Sequence, residues 1–227
     1  MFSTVFKAYS NSDPPELLAL KVTSHSQFKA PHNPLREARI LQRAVHPSVV
    51  RLISASPIEG GRFLLVFPFL PLDLEAWIGL TISSSECLSP FAPNLLHDLF
   101  SALAHIHSLG IIHRDIKPSN ILLASSSGPA YLADFGIAWM SGDEDSEPAD
   151  QKITDVGTTC YRPPELLFGN TSYGCSLDMW AAGCVTAEVF LGHSGSLFNS
   201  GELGGDLALI FSIFSTLGTP SLESWPV

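Results

Sequence analysis

Cysteine is scarce in this chain: Cys87, Cys160, Cys175 and Cys184 are the only four in 227 residues, and no two form a C-x-x-C pair. That spacing excludes a disulfide framework and an obvious cysteine-based zinc site, so a reducing compartment fits best. Basic residues are few as well, with 12 Lys and Arg against 22 Asp and Glu and a formal net charge of −10. A surface of that sign repels nucleic-acid phosphates and anionic lipid unless its cations gather on one face, so neither nucleic acid nor membrane is expected as a partner. Long hydrophobic runs are missing too. No apolar stretch approaches the roughly 18 residues of a spanning helix, and Met1 to Lys7 lack a basic stretch followed by an apolar one. The reading is a cytosolic or nuclear protein.

What is present is enough to fold. Hydrophobic residues make up 45% and charged residues 15%, a balance that builds a sizeable core in one domain or in two lobes sharing a cleft. Val5 to Tyr9 and Leu17 to Val22, separated by Asn11-Ser12-Asp13-Pro14-Pro15, predict a hairpin. From Pro34 to Ala44 the period turns helical, with Glu37, Ile40, Leu41 and Ala44 on one face and Arg36, Arg39 and Arg43 on another. A carboxylate therefore falls inside an inward stripe. Phe63 to Phe69 reads as a buried strand ended by Pro68 and Pro71, which sets a lobe boundary near Leu70, with lobes at 1–70 and 71–227.

Beyond that boundary, Asn94 to Leu109 predicts a core helix with Gly110 at its C-cap. Ile121 to Ala124 and Ala130 to Ala133 flank Ser125-Ser126-Ser127-Gly128 as a second hairpin, and the acidic run Gly142 to Pro148 reads as a mobile loop. Helices are expected over Leu177 to Leu191 and Asp206 to Leu217.

The chemistry-bearing segment is His113-Arg114-Asp115-Ile116-Lys117-Pro118-Ser119-Asn120, followed after the second hairpin by Asp134-Phe135-Gly136. Upstream lie Ala19-Leu20-Lys21 and Glu37; downstream lie Gly157 to Glu165 and Asp178-Met179-Trp180-Ala181-Ala182-Gly183. Singly, Lys21 reads as well as a snorkelling surface lysine and Asp115 as a helix N-cap. In this order the segments resemble a eukaryotic protein kinase. The resemblance implies an α+β, bilobal fold, with a β-rich N-lobe carrying one helix and a mainly helical C-lobe. It implies ATP and Mg²⁺ as cofactors and a protein substrate. By the same resemblance, Lys21 holds the α- and β-phosphates and Glu37 orients it. Asp134 and Asn120 are implied magnesium ligands and Asp115 the base; Lys117 neutralises the transferring group, and Thr158 orients Asp115 and Lys117. The K-x-x-N form implies serine/threonine acceptors, and His113 is read as structural.

The resemblance also places Val5 and Ala19 above the nucleotide base and Leu122 below it, with ordinary core packing as the less favoured reading of these three. Phe67 falls at the gatekeeper position, Pro68 at a hinge position needing only a carbonyl, and Leu70 at the hinge N–H donor.

Tyr161 to Leu167, Asp178 to Glu188, Leu197-Phe198, Leu217-Gly218-Thr219-Pro220 and Leu65-Val66-Phe67 are similar to the cyclin-dependent kinase group. Pro31-His32-Asn33-Pro34-Leu35-Arg36-Glu37 keeps only the Arg-Glu pair and apolar character of that group's cyclin-binding helix, which argues against a cyclin partner. The combination resembles the fungal monomeric kinases that activate other cyclin-dependent kinases, and implies another such kinase as substrate. Of three arginines that gather activation-loop phosphate in the group, Arg36 and Arg114 are kept and the third is Trp139; the phosphothreonine position reads Ile153, with Thr154 beside it. Asp143 to Glu147 either form a solvated loop or offer carboxylates to Arg36 and Arg114 without modification.

Counting back from Val5, the third glycine of the family's phosphate loop falls on Ser3 and the first two precede Met1, which implies weaker ATP binding. The resemblance implies further C-lobe helices after Val227, so that the chain covers about three quarters of a kinase domain and Glu165 becomes a buried, unpaired carboxylate. Two function classes stand side by side: a Ser/Thr phosphotransferase, and a catalytically silent, truncated chain that only binds kinase partners.

Overall fold

A computed structural model describes residues 3–24, 28–83, 90–191, 195–202, 204–221 and 223, with the side chains of 81–83 outside the description. Cys87 lies outside these residues. Strands β1 (Thr4–Tyr9), β2 (Leu17–Ser24), β3 (Ser54–Ile58) and β4 (Arg62–Pro68) form an antiparallel sheet in the order β1-β2-β4-β3. The expected first hairpin is β1–β2, and its register sets Val5 opposite Lys21 and Lys7 opposite Ala19. Ala19 and Lys21 are two residues apart and so share a face of the sheet. Strand β3 was not apparent from the sequence because Ser54-Ala55-Ser56-Pro57-Ile58 is polar and contains proline. It lies at the sheet edge, where proline leaves no central ladder bond unmade.

Helix α1 (Pro34–Arg43) packs on this sheet. Its start is over-determined: Pro34 pre-sets the first turn, and the Asn33 side chain accepts from Leu35 N and Arg36 N, each at 3.0 Å. Such a cap stabilises a helix by about 1 kcal/mol. Glu37 and the apolar Ile40 and Leu41 are buried as the periodicity requires, but Arg36 is buried with them at 2% exposure, not left on the outer face.

The second part is mainly helical. After β5 (Leu72–Asp73) come α2 (Leu74–Ser83), α3 (Ala92–Ser108), β6 (Ile111–Ile112), β7 (Ile121–Leu123), β8 (Ala130–Leu132) and β9 (Trp139–Met140). They are followed by α4 (Pro164–Leu167), α5 (Ser176–Leu191) and α6 (Asp206–Leu217). Strands β5-β7-β8 and β6-β9 form two small antiparallel sheets. One apolar cluster runs through both parts, joining Ile40, Leu41, Leu65 and Phe67 to Leu99, Leu103, Ile106, Leu132 and Phe135. No helix among the described residues is long and apolar enough to cross a membrane.

Two expectations are corrected. The acidic run is no mobile loop: Asp143 and Asp145 both bind Arg39, and Met140 N donates to Ser146 Oγ at 3.2 Å. Its charges meet buried or half-buried arginines, an attraction that composition alone does not register. Glu165 is half-buried, not buried, and Ser176 Oγ lies 3.4 Å from its Oε1, so it is neither sealed from water nor wholly unpartnered.

Candidate active site

The sheet and the helical part meet over a cleft whose polar wall is assembled from β2, α1 and two loops. Lys21 Nζ on β2 donates to both Glu37 oxygens, at 2.7 and 2.9 Å, and to Asp134 Oδ1 at 2.6 Å. Burial alone would lower the Lys21 pKa, but the adjacent Glu37 and Asp134 carboxylates outweigh it and raise the value, so the ammonium stays charged. Burial pushes Glu37 up against the attraction of Lys21. For Asp134, desolvation pushes upward too, yet the Lys21 ammonium wins and holds the carboxyl at about 2.

Opposite stands the loop 113–120. Thr158 Oγ1 donates to Asp115 Oδ1 at 2.8 Å and Thr158 N donates to the same oxygen at 3.0 Å. Lys117 Nζ lies 2.9 Å from Asp115 Oδ2 and donates to Thr158 Oγ1 at 2.8 Å. Asn120 Nδ2 donates to Asp115 O and Oδ2 at 2.8 and 2.9 Å, which leaves the Asn120 amide oxygen to act as an acceptor elsewhere.

This loop is anchored from beneath. Asp178 on α5 is fully buried and accepts from His113 N at 2.8 Å and Arg114 N at 2.9 Å, with His107 Nε2 at 2.8 Å. His113 is itself fully buried, its Nε2 3.0 Å from Ala133 O and its ring edge-on to Phe135. Arg114 and Asp134 both adopt left-handed φ, at 72° and 61°, a conformation that non-glycine residues hold only when their surroundings enforce it.

A cavity of about 390 Å³ lies between the two parts. Val5, Ala19, Lys21, Phe67, Pro68, Leu70, Leu122 and Asp134 all line it, so the residues assigned from the sequence to a nucleotide are brought together. Val50 and Phe69 line it as well and were missed; Val50 carries no motif signal, and Phe69 lay within a run read only as strand. A second cavity of about 240 Å³ holds the polar residues Lys21, Glu37, Asp115, Lys117 and Asp134. The donor set suits magnesium, since Asp134 and the Asn120 amide offer hard oxygens. Mg²⁺ typically takes one or two protein oxygens and completes its shell with phosphate and water.

A third feature joins the acidic run to the loop. Arg114 Nη1 and Nη2 donate to Glu147 Oε1 and Oε2 at 3.1 and 2.9 Å, while Arg36 Nη1 donates to Asp145 O at 2.7 Å and Nη2 to Pro31 O. Trp139 Nε1 donates to Glu147 O at 2.8 Å. Ile153 packs against an apolar cluster containing Trp139 and Val156.

A bilobal α+β fold with a lysine–glutamate pair, a buttressed aspartate loop and a second cleft aspartate defines a class, and comparison with known proteins agrees. The protein kinase domain family matches residues 1–207, and the chain belongs to that family. Its relatives there include proteins named as serine/threonine kinases and as cyclin-dependent kinases. It is 36% identical over 93% of its length to "Serine/threonine-protein kinase csk1" of Schizosaccharomyces pombe, covering 67% of that protein. It is 36% identical over 99% of its length to "Cyclin-dependent kinase 7" of Xenopus laevis, covering 61% of it. The crystal structure of the yeast RNA Pol II CTD kinase CTDK-1 complex superposes with a TM-score of 0.80 at 30% identity, over 98% of this chain and 68% of that one. The chain spans between 36% and 67% of the length of these and similar curated relatives. Members of the family use ATP and magnesium.

Proposed function

We propose that this chain is the catalytic part of an ATP-dependent serine/threonine protein kinase of the cyclin-dependent type, with lobes meeting near Leu70. The observation that carries the reading is the convergence of Lys21, Glu37, Asp134, Asp115, Lys117 and Asn120 on one cleft.

The nucleotide base takes the apolar cavity between Val5 and Ala19 on one side and Leu122 on the other, with Phe67 at its back and Pro68 and Leu70 at its edge. Lys21, held by Glu37, contacts the α- and β-phosphates. Asp134 and Asn120 would hold magnesium, which neutralises phosphate charge when bound. Asp115 accepts the proton of the serine or threonine hydroxyl as that oxygen bonds to the γ-phosphorus. The bond from the γ-phosphorus to the bridging oxygen breaks, and ADP departs with the electron pair. Lys117 offsets charge on the moving phosphoryl group, and Thr158 fixes the positions of Asp115 and Lys117.

Two substrates compete. Another kinase's activation-loop threonine is one; a Ser-Pro or Thr-Pro segment is the other. The second is favoured by Arg162 Nη2, which donates to Gly157 O at 3.2 Å and occupies a backbone acceptor, a setting in which a residue without an N–H loses nothing. A cyclin is not part of this reading, since Pro31 to Glu37 keep only the Arg-Glu pair and apolar character of the group's cyclin-binding helix.

Purified chain, Mg²⁺–ATP and no cyclin, assayed on a Ser-Pro peptide and on an unphosphorylated kinase, separates these readings. Transfer to the peptide alone supports proline direction, and transfer to the kinase loop supports an activating role. Silence on both, with retained binding to a kinase, assigns the chain to the binding-only class.

A further inference from the structure

His32 stands just before α1, in a turn that the kinase motifs do not account for. His32 N donates to Lys29 O at 2.8 Å, and the next residue, Asn33, both caps α1 and donates its N–H to Gly136 O at 3.2 Å. The turn is thus tied to the segment that carries Asp134. Its half-buried imidazole borders the phosphate-side cavity with Lys21, Asp115, Lys117 and Asp134. It also borders a neighbouring cavity of about 450 Å³ with Gly157, Thr158 and Arg162. Among the described residues that line these two cavities, only His32, Asp115 and Ile137 line both.

That shared wall is where a phosphoryl group leaves the nucleotide and meets an acceptor. Ile137 has no polar side-chain atom and Asp115 carries negative charge, whereas an imidazole offers at least one N–H donor in either protonation state. The charged groups acting on it come from every side: Lys21 on β2, Arg36 on α1, Asp115 on its loop and Asp134 on the next. Two cations and two carboxylates act on the ring with opposite signs, and a bound terminal phosphate adds negative charge beside it.

Resting on the kinase reading above, we propose that the His32 imidazole donates a hydrogen bond to the terminal phosphoryl group of a bound nucleoside triphosphate, and so helps distinguish triphosphate from diphosphate. A ring that merely packs the turn would affect both nucleotides equally.

The test is calorimetric binding of the β,γ-imido analogue of ATP and of ADP, each with Mg²⁺, to wild type, His32→Ala and His32→Gln. The contact predicts that His32→Ala weakens analogue binding about ten- to hundredfold, as expected for one hydrogen bond to a charged group, with ADP binding changed less than about twofold. His32→Gln, which keeps an N–H donor, recovers most of the loss and serves alone should the alanine variant fail to fold. Equal weakening of both nucleotides, or no change in either, overturns the proposal while leaving the kinase reading intact. Wild type that binds neither nucleotide overturns both.

Discussion

Both carboxylate oxygens of Glu147 are gripped by the guanidinium of Arg114, the residue immediately before Asp115. The Arg114 side chain is fully buried and that of Glu147 nearly so, at 0% and 16% exposure. Arg39 binds Asp143 and Asp145 from α1, so one acidic segment fastens the helix that bears Glu37 to the loop that bears Asp115. Both sequence readings of this run were open; the geometry favours carboxylates delivered to Arg114, whereas Arg36 receives carbonyls.

Removing the grip leaves a buried guanidinium unpaired. Glu147→Ala is expected to destabilise the fold by about 3 kcal/mol, within the range for breaking a buried ion pair, and Glu147→Gln by less; chemical denaturation measures both. Phosphatase treatment of the wild type is expected to leave phosphotransfer unchanged. A large fall would show that a phosphate, not Glu147, orders the segment.

Acid should release the same grip. Burial pushes Glu147 up, but the hydrogen bonds and charge of Arg114 pull it below the usual 4.5, so the folded form holds its proton more weakly than the unfolded chain. The stabilisation is present above pH 4.5 and is lost as pH falls through the depressed value. Melting curves between pH 6 and pH 3 are expected to converge for wild type and Glu147→Gln.

Glu188 should act in the opposite sense. Burial raises its carboxyl from 4.5 to about 7; Tyr161 Oη donates to Oε2 at 3.1 Å, and Oε1 is buried with no hydrogen-bond partner among the described residues. The folded state keeps a proton that the unfolded chain has lost, so stability declines as pH rises from 4.5 to 7, by up to about 3 kcal/mol. Glu188→Gln is expected to flatten that slope in urea titrations.

Gly157 has φ of 71°, and a Cβ there would lie 2.4 Å from Arg114 O. Gly157→Ala therefore adds at least about 1 kcal/mol of left-handed strain and pushes on the carbonyl beside Asp115. We expect lower stability together with slower phosphotransfer at saturating substrate, read from denaturation and steady-state rates.

Much of this was legible from residue order. The hairpin β1–β2, helix α1 and the β7–β8 hairpin follow from periodicity and turn residues, and the cleft residues follow from motifs whose side chains converge. Helix α2 was not legible because Leu74 to Ser83 is apolar almost all round and gives no helical stripe. The burial of Arg36 and the fastening of Asp143 and Asp145 depend on pairing across more than 100 positions of sequence between α1 and the acidic run, and that of Glu147 on pairing across 33, which no local pattern encodes. His32 lay in a segment read only as a departure from the cyclin-binding helix; its proximity to Asp115 and Asp134 arises from the tie between Asn33 and Gly136.

Everything turns on Asp115 as the base of a phosphoryl transfer. The direct measurement is the rate of γ-phosphate transfer from labelled Mg²⁺–ATP to a Ser/Thr peptide by wild type and by Asp115→Asn, with nucleotide binding followed alongside. The account predicts a loss of about 10²- to 10⁴-fold in rate with nucleotide affinity kept. Equal rates in the two proteins would contradict it.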